Sequence, residues 1–220
     1  MSWYEAGFHV AGQKVLWTDL AGNACALATV WLATLRTVWT WPVQLSGSVL
    51  LLAASLSAHV TGNALKQVMF AVLAVYGWHR WTRGARGGDL LVRPGTARER
   101  AALLAAMAVG TVAVAVLLEH FHASWAPWPD AYIFVGSAAA TFAQGRALID
   151  FWWIWLAVDL VGVPLALMSG LWVSGAVYGV FLVLVLNGYR DWRRIWQARS
   201  VHTPDPRRWP IDRDRDRHCD

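Results

Sequence analysis

The sequence is short of charge. Of its 220 residues, 15% are Asp, Glu, Lys or Arg and 57% are hydrophobic, whereas a soluble domain carries about 25% charge. The few charges cluster, leaving long windows with almost none. Cysteine is scarce as well. Cys25 falls in an apolar run and Cys219 in a polar tail, which excludes a disulfide framework and a Cys/His metal set. No G-x-x-x-x-G-K-[ST] phosphate loop, H-E-x-x-H or G-x-S-x-G motif occurs, so the sequence assigns no catalytic residue, cofactor or metal. His120 and His122 flank a loop and read as ordinary loop residues. The first residues lack the basic start and short apolar core of a cleaved signal. Strand-like alternation is missing too, which argues against a β-barrel.

What is abundant is apolar sequence in runs of roughly 20 residues, long enough to cross a bilayer core of about 30 Å. Seven spans are expected: Leu16–Leu35, Trp41–His59, Thr61–Trp81, Arg100–Glu119, Asp130–Arg146, Phe151–Met168 and Leu171–Tyr189. Within a bilayer each must satisfy its own backbone hydrogen bonds, which helices do. The fold class is therefore an all-α integral membrane protein with seven transmembrane helices. Lys and Arg set its orientation. Arg36, the arginines from Arg80 to Arg100, Arg146 and those after Arg190 fall in alternate loops and the tail. The intervening loops, SAHVTG, EHFHASWAPWPD and LMSGLW, have none. This places the N-terminus outside and the C-terminus in the cytoplasm of a bacterial plasma membrane. It also accounts for the net charge of +5 without nucleic acid. Lys66, the one basic residue within a span, lies near the outer end of span three, from which it can snorkel.

A shift of 111 residues aligns the chain with itself without a gap (128 − 17 = 111). Trp17 falls on Trp128, Trp41 on Trp152, Trp81 on Trp192 and Gly77 on Gly188. Spans one to three then match spans five to seven, with span four left as a linker. An even number of spans separates the copies, so they run in the same direction. This is a 3+1+3 parallel repeat, the SWEET-like arrangement, whose substrate site lies at the repeat interface. The expected division is an outer segment 1–15, a first unit 16–81, a basic cytoplasmic loop 82–99, a linker helix 100–119, a second unit 130–192 and a disordered tail 193–220.

The run FWWIWLAVDL from Phe151 to Leu160 sets aromatic rings and one acid in an oily helix. Trp152, Trp155 and Asp159 share one helical face, while Trp153 lies about 100° away and can meet lipid. Indole faces stack on flat rings and indole N–H groups bond hydroxyls. A mid-span carboxylate is costly and usually faces a bundle interior or a wet cavity. The competing readings are an interfacial tryptophan belt and, for Asp159, a partner on a neighbouring helix. Gln44, Asn63, Gln67, Gln144, Tyr178 and Asn187 are further polar positions inside spans. Each alone fits helix–helix hydrogen bonding. Under the repeat, however, Gln44 falls on Trp155 and Gln67 on Tyr178, as expected of positions facing a shared cavity. Pro164 lies inside span six and should kink it.

The runs TWPVQL, YGWHRW, FWWIW and GYRDW together resemble the PnuC family of vitamin transporters, from Leu16 to about Trp192. The resemblance implies a seven-helix 3+1+3 fold, a homotrimer, and facilitated diffusion of nicotinamide riboside, riboflavin or thiamine with trapping by a cytoplasmic kinase. It implies that Trp152 and Trp155, the W-x-x-W motif, contact the substrate's ring system, with Gln144 beside them. Asp159, Asn63, Gln67, Tyr178 and Asn187 are carried over less directly. Nicotinamide riboside members tend to show W-P-V-G where this chain has Trp41-Pro42-Val43-Gln44, and Asn or Glu where it has Phe151. The pattern is more similar to the riboflavin-transporting branch, called RibM or PnuX. Riboflavin is thus the expected substrate, and nicotinamide riboside the alternative.

Overall fold

The computed structural model describes residues 7–10, 13–57, 61–85, 91–168 and 172–202. Among these residues the chain forms seven helices: α1 (Trp17–Thr34), α2 (Thr40–Ser57), α3 (Thr61–Ala85), α4 (Ala97–His120), α5 (Pro127–Gly145), α6 (Phe151–Met168) and α7 (Trp172–His202). Two short strands precede them, β1 (Gly7–Val10) and β2 (Gln13–Leu16), paired antiparallel with Gly7 opposite Leu16. This hairpin corrects the all-α expectation at the N-terminus, while the rest of the described chain is helical. A second correction concerns the tail. Residues 193–202 continue α7 instead of starting a disordered extension. Trp192 is fully buried at that point, and no proline interrupts the helix before Pro204. The rest of the expected tail, 203–220, lies outside the described residues.

Neighbouring helices close a ring. α1 packs on α2, α2 on α3, α3 on α5, α5 on α6, α6 on α7, and α7 back on α1. α4 stands outside this ring and packs on α5. Among the described helices it alone is long and apolar enough to cross a membrane by length and composition, and its side chains are mostly exposed.

Local sequence explains several helix starts. Pro42 sits in the first turn of α2, and Pro127 and Pro129 in that of α5, where no intrahelical N–H is lost. At α4, Thr96 and Glu99 form a reciprocal capping box. The same Glu99 accepts from Arg93 at 2.7 Å and Arg146 at 2.6 Å, and Arg100 pairs with Asp150 at 2.6 Å. Arg93 also bridges by backbone to Ala147 and Ile149. These bonds fasten the start of α4 to the α5–α6 turn. The Arg93 guanidinium, with help from the Thr96 backbone, holds the Glu99 carboxyl well below the usual carboxylate range.

The core is built from tryptophan. Trp41, Trp81, Trp152 and Trp192 are all fully buried. Their arrangement recurs at the 111-residue spacing. Trp41 meets Trp81 edge-to-face at 5.2 Å, and Trp152 meets Trp192 at 5.9 Å. The ring of Trp41 lies so close to Gly77 that a Cβ there would fall 2.3 Å from it, and Trp152 covers Gly188 in the same way. The Trp81 indole N–H donates to the carbonyl of Gln144 at 3.1 Å, while that of Trp192 donates to the carbonyl of Ala33 at 3.0 Å. Each of these bonds crosses from one helix triplet to the other. Arg36 and Ala147, at the ends of α1 and α5, both take positive φ, 57° and 54°.

Candidate functional site

A cavity of about 230 Å³ lies inside the ring, lined from α1, α2, α3, α5, α6 and α7. Its aromatic part is formed by Phe70, Phe151, Trp152, Trp155 and Phe181. Phe70 and Trp155 are nearly parallel, with centroids 6.5 Å apart and planes at 21°. Its polar part includes Gln44, Ser48, Lys66, Gln67, Ser137, Gln144 and Asp159. Small-molecule sites usually occupy roughly 300–1,000 Å³, so a tricyclic ligand requires the walls to move outward.

The lining is paired at the same spacing. Ala26 and Ser137, Ala33 and Gln144, Gln44 and Trp155, Ser48 and Asp159, and Phe70 and Phe181 all face the cavity and stand 111 residues apart. Phe70 and Phe181 are identical, and in the other four pairs the bulkier or charged member lies on α5 or α6, so these positions are chemically lopsided.

Three buried polar atoms on the lining residues lack a hydrogen-bond partner: Nε2 of Gln144, Nε1 of Trp152 and Oδ2 of Asp159. Gln144 is 4% exposed, Trp152 1% and Asp159 6%. A buried polar atom without a partner costs about 1–3 kcal/mol. A ligand that offers one acceptor to each N–H and one donor to the carboxylate relieves that cost.

Six of the nine expected site residues line this cavity: Gln44, Gln67, Gln144, Trp152, Trp155 and Asp159. Asn63 does not. It sits in the first turn of α3, and its amide donates to Ser55 Oγ of α2 at 2.6 Å, a bond between helices. Asn187 does not either, being exposed on α7. The next residue, Gly188, faces Trp152, and a step of about 100° turns Asn187 away. The side chain of Tyr178 lies outside the described residues. Trp153 is 54% exposed, on the outer side as its spacing predicts. Lys66, part-exposed near the start of α3, also lines the cavity, and sequence reasoning passed over Phe70 and Phe181. The signal was available: Phe70 is three residues beyond Gln67 and falls on Phe181 at the repeat spacing.

Comparison with known proteins gives this cavity a context. The family model described as nicotinamide mononucleotide transporter matches residues 16–194. The chain belongs to that family. It is 48% identical over 198 residues to the riboflavin/roseoflavin transporter RibM of Streptomyces davaonensis, covering 87% of this chain and 92% of the relative. It is 20% identical over 207 residues to the nicotinamide riboside transporter PnuC of Escherichia coli, covering 82% and 87%. Its fold matches the crystal structure of the vitamin B3 transporter PnuC with a TM-score of 0.67 at 17% identity, over 83% of each chain. These relatives are named as transporters of riboflavin and roseoflavin, of nicotinamide riboside and of vitamin B3.

Proposed function

We propose that this protein takes up riboflavin across the bacterial plasma membrane by facilitated diffusion, with intracellular phosphorylation trapping the vitamin. The observation that carries the reading is the cavity within the helix ring, with its aromatic walls and the unpartnered polar atoms of Gln144, Trp152 and Asp159. A flat heteroaromatic ring with a hydroxylated chain supplies both chemistries, stacking on Trp155 and Phe70 and hydrogen-bonding to the polar groups. The 48% identity to a riboflavin transporter favours the flavin. The sequence lacks a phosphate-binding loop, in keeping with uptake driven by the vitamin's own gradient.

On this reading the two helix triplets are parallel repeats and the substrate sits between them. The tryptophan contacts and the positive-φ residues that recur at 111-residue spacing support the repeat, and rocking of one triplet against the other supplies alternating access. Arginines concentrated in alternate loops and after α7 support a cytoplasmic C-terminus and an outer N-terminus. The exposed apolar surface of α4 suits lipid contact, and the assembly proposed is a homotrimer. Nicotinamide riboside is the second reading. The observation in its favour is the unpartnered Asp159 carboxylate, a counter-ion for a pyridinium.

The deciding experiment is calorimetric titration of the purified chain with riboflavin and, separately, nicotinamide riboside, with Trp155→Ala as control. Riboflavin binding that is lost in the variant supports the proposal. Binding of nicotinamide riboside alone transfers the protein to the second reading. Binding of neither removes the transport reading.

A further inference from the structure

We infer that Lys66 is a specificity-determining residue that makes the cavity select neutral, acceptor-bearing ring systems over cationic ones. The inference rests on the vitamin-uptake reading above. Lys66 and Asp159 are the two charged residues among the described lining of the cavity. No hydrogen bond or ion pair joins Lys66 to any described residue, and the acid that acts on it through space is Asp130, in the first turn of α5. A structural lysine inside a helix bundle pairs with a carboxylate or carbonyl, and a snorkelling one leaves the bundle. Lys66 does neither. Its three N–H donors are left for whatever enters the cavity.

Position adds to the argument. Lys66 is the sixth residue of α3, close to the end of the bundle where α2 ends and α3 begins. Asp159 is the ninth residue of α6, near the middle of its helix. A ligand arriving from the α2–α3 end passes the ammonium before it reaches the carboxylate. Neither charge is repeated 111 residues away, where Val177 and Ser48 stand, so neither follows from a helix-packing role common to the two triplets. An ammonium donates to ring carbonyls or chain hydroxyls of a neutral ligand, and it repels a pyridinium at the same place. Discrimination thus contains a repulsive element as well as an attractive one. It offsets the attraction that Asp159 alone would exert on a cation.

The test titrates the full-length protein in detergent with riboflavin and with nicotinamide riboside. The native chain is compared with Lys66→Met, which keeps length and removes charge, and Lys66→Arg, which keeps charge. Removing an unpartnered cation from a bundle interior relieves desolvation, so folding should survive. Lys66→Gln serves in the same titration if the Met variant aggregates. The native chain is expected to bind riboflavin at least about tenfold more tightly than nicotinamide riboside, with Lys66→Met narrowing that ratio roughly tenfold and Lys66→Arg preserving it. An unchanged ratio in the neutral variant overturns the inference while leaving riboflavin uptake intact. Equal native affinity for the two ligands overturns it also. Failure of the native chain to bind riboflavin brings down the uptake reading itself, and the inference with it.

Discussion

Asp159 and Trp155 stand on one face of α6, two chemistries separated by a single turn. Trp155 stacks against Phe70 at 6.5 Å, and a flat ring entering the cavity meets both. Truncation of Trp155 to alanine is expected to weaken riboflavin binding by about tenfold or more, since aromatic stacking is worth roughly 1–3 kcal/mol per ring. Calorimetry on the folded variant checks this. Asp159→Asn removes charge but keeps a polar group. It is expected to reduce nicotinamide riboside binding far more than riboflavin binding, read as a change in the ratio of the two dissociation constants. Equal losses for the two ligands, with a lowered melting temperature, would return Asp159 to a structural role. Residue type and helical spacing are enough to make this face of α6 legible in the sequence. What they do not disclose is Lys66, because a lysine near a span end has two physically reasonable destinations. Only the packing of α3 within the ring decides between them.

Among the helices, the pairs Trp41–Gly77 and Trp152–Gly188 set how closely α2 approaches α3 and α6 approaches α7. A methyl at Gly77 or Gly188 would lie 2.3 Å from a rigid indole, which cannot swing aside. Gly77→Ala and Gly188→Ala are each expected to destabilise by about 1–3 kcal/mol or more through overpacking. Gly62→Ala is the control, since a Cβ there meets nothing within 4 Å. Thermal unfolding followed by tryptophan fluorescence separates the three. The clasp at the start of α4 gives a pH prediction. Glu99 has a carboxyl pKa lowered by Arg93, so its contribution is complete above the ordinary carboxylate value of about 4.3. It is lost only as pH falls through the depressed folded value. Melting temperature should therefore show no loss from this group between pH 8 and about 5, and Glu99→Gln should blunt the decline at lower pH. The helices themselves were readable from apolar runs. The extension of α7 past Tyr189 was not, because charged residues in a helical continuation and in a solvated tail have the same composition.

Across the whole molecule, two indole N–H bonds join the helix triplets: Trp81 to the Gln144 carbonyl and Trp192 to the Ala33 carbonyl. Both are buried, and loss of either donor removes a bond between the two sets of helices, while the Gln144 and Ala33 carbonyls keep the backbone N–H of Ala147 and of Arg36. Trp81→Phe and Trp192→Phe are each expected to cost about 1–2 kcal/mol, and the double variant to loosen the contact between triplets. On the proposed reading the double variant also changes transport rate more than affinity, because this contact is where one triplet would move against the other. Uptake kinetics in proteoliposomes, set beside equilibrium binding, check that difference.

Sequence alone determined the seven helices and the 111-residue offset, because run length and tryptophan matches are properties of the chain that no packing can alter. It also brought six of nine candidate residues to one cavity, since an offset that pairs polar with aromatic positions selects residues on equivalent faces. Tertiary structure decided the remainder. Asn63 turned to Ser55 because a helix's first turn meets its neighbour's last. Asn187 turned outward because Gly188 gave the inner face to Trp152. Lys66 joined the lining because the ring closes around it. In each case the side chain's surroundings come from residues distant in sequence, and their approach is fixed by close packing of rings against glycines rather than by any local preference.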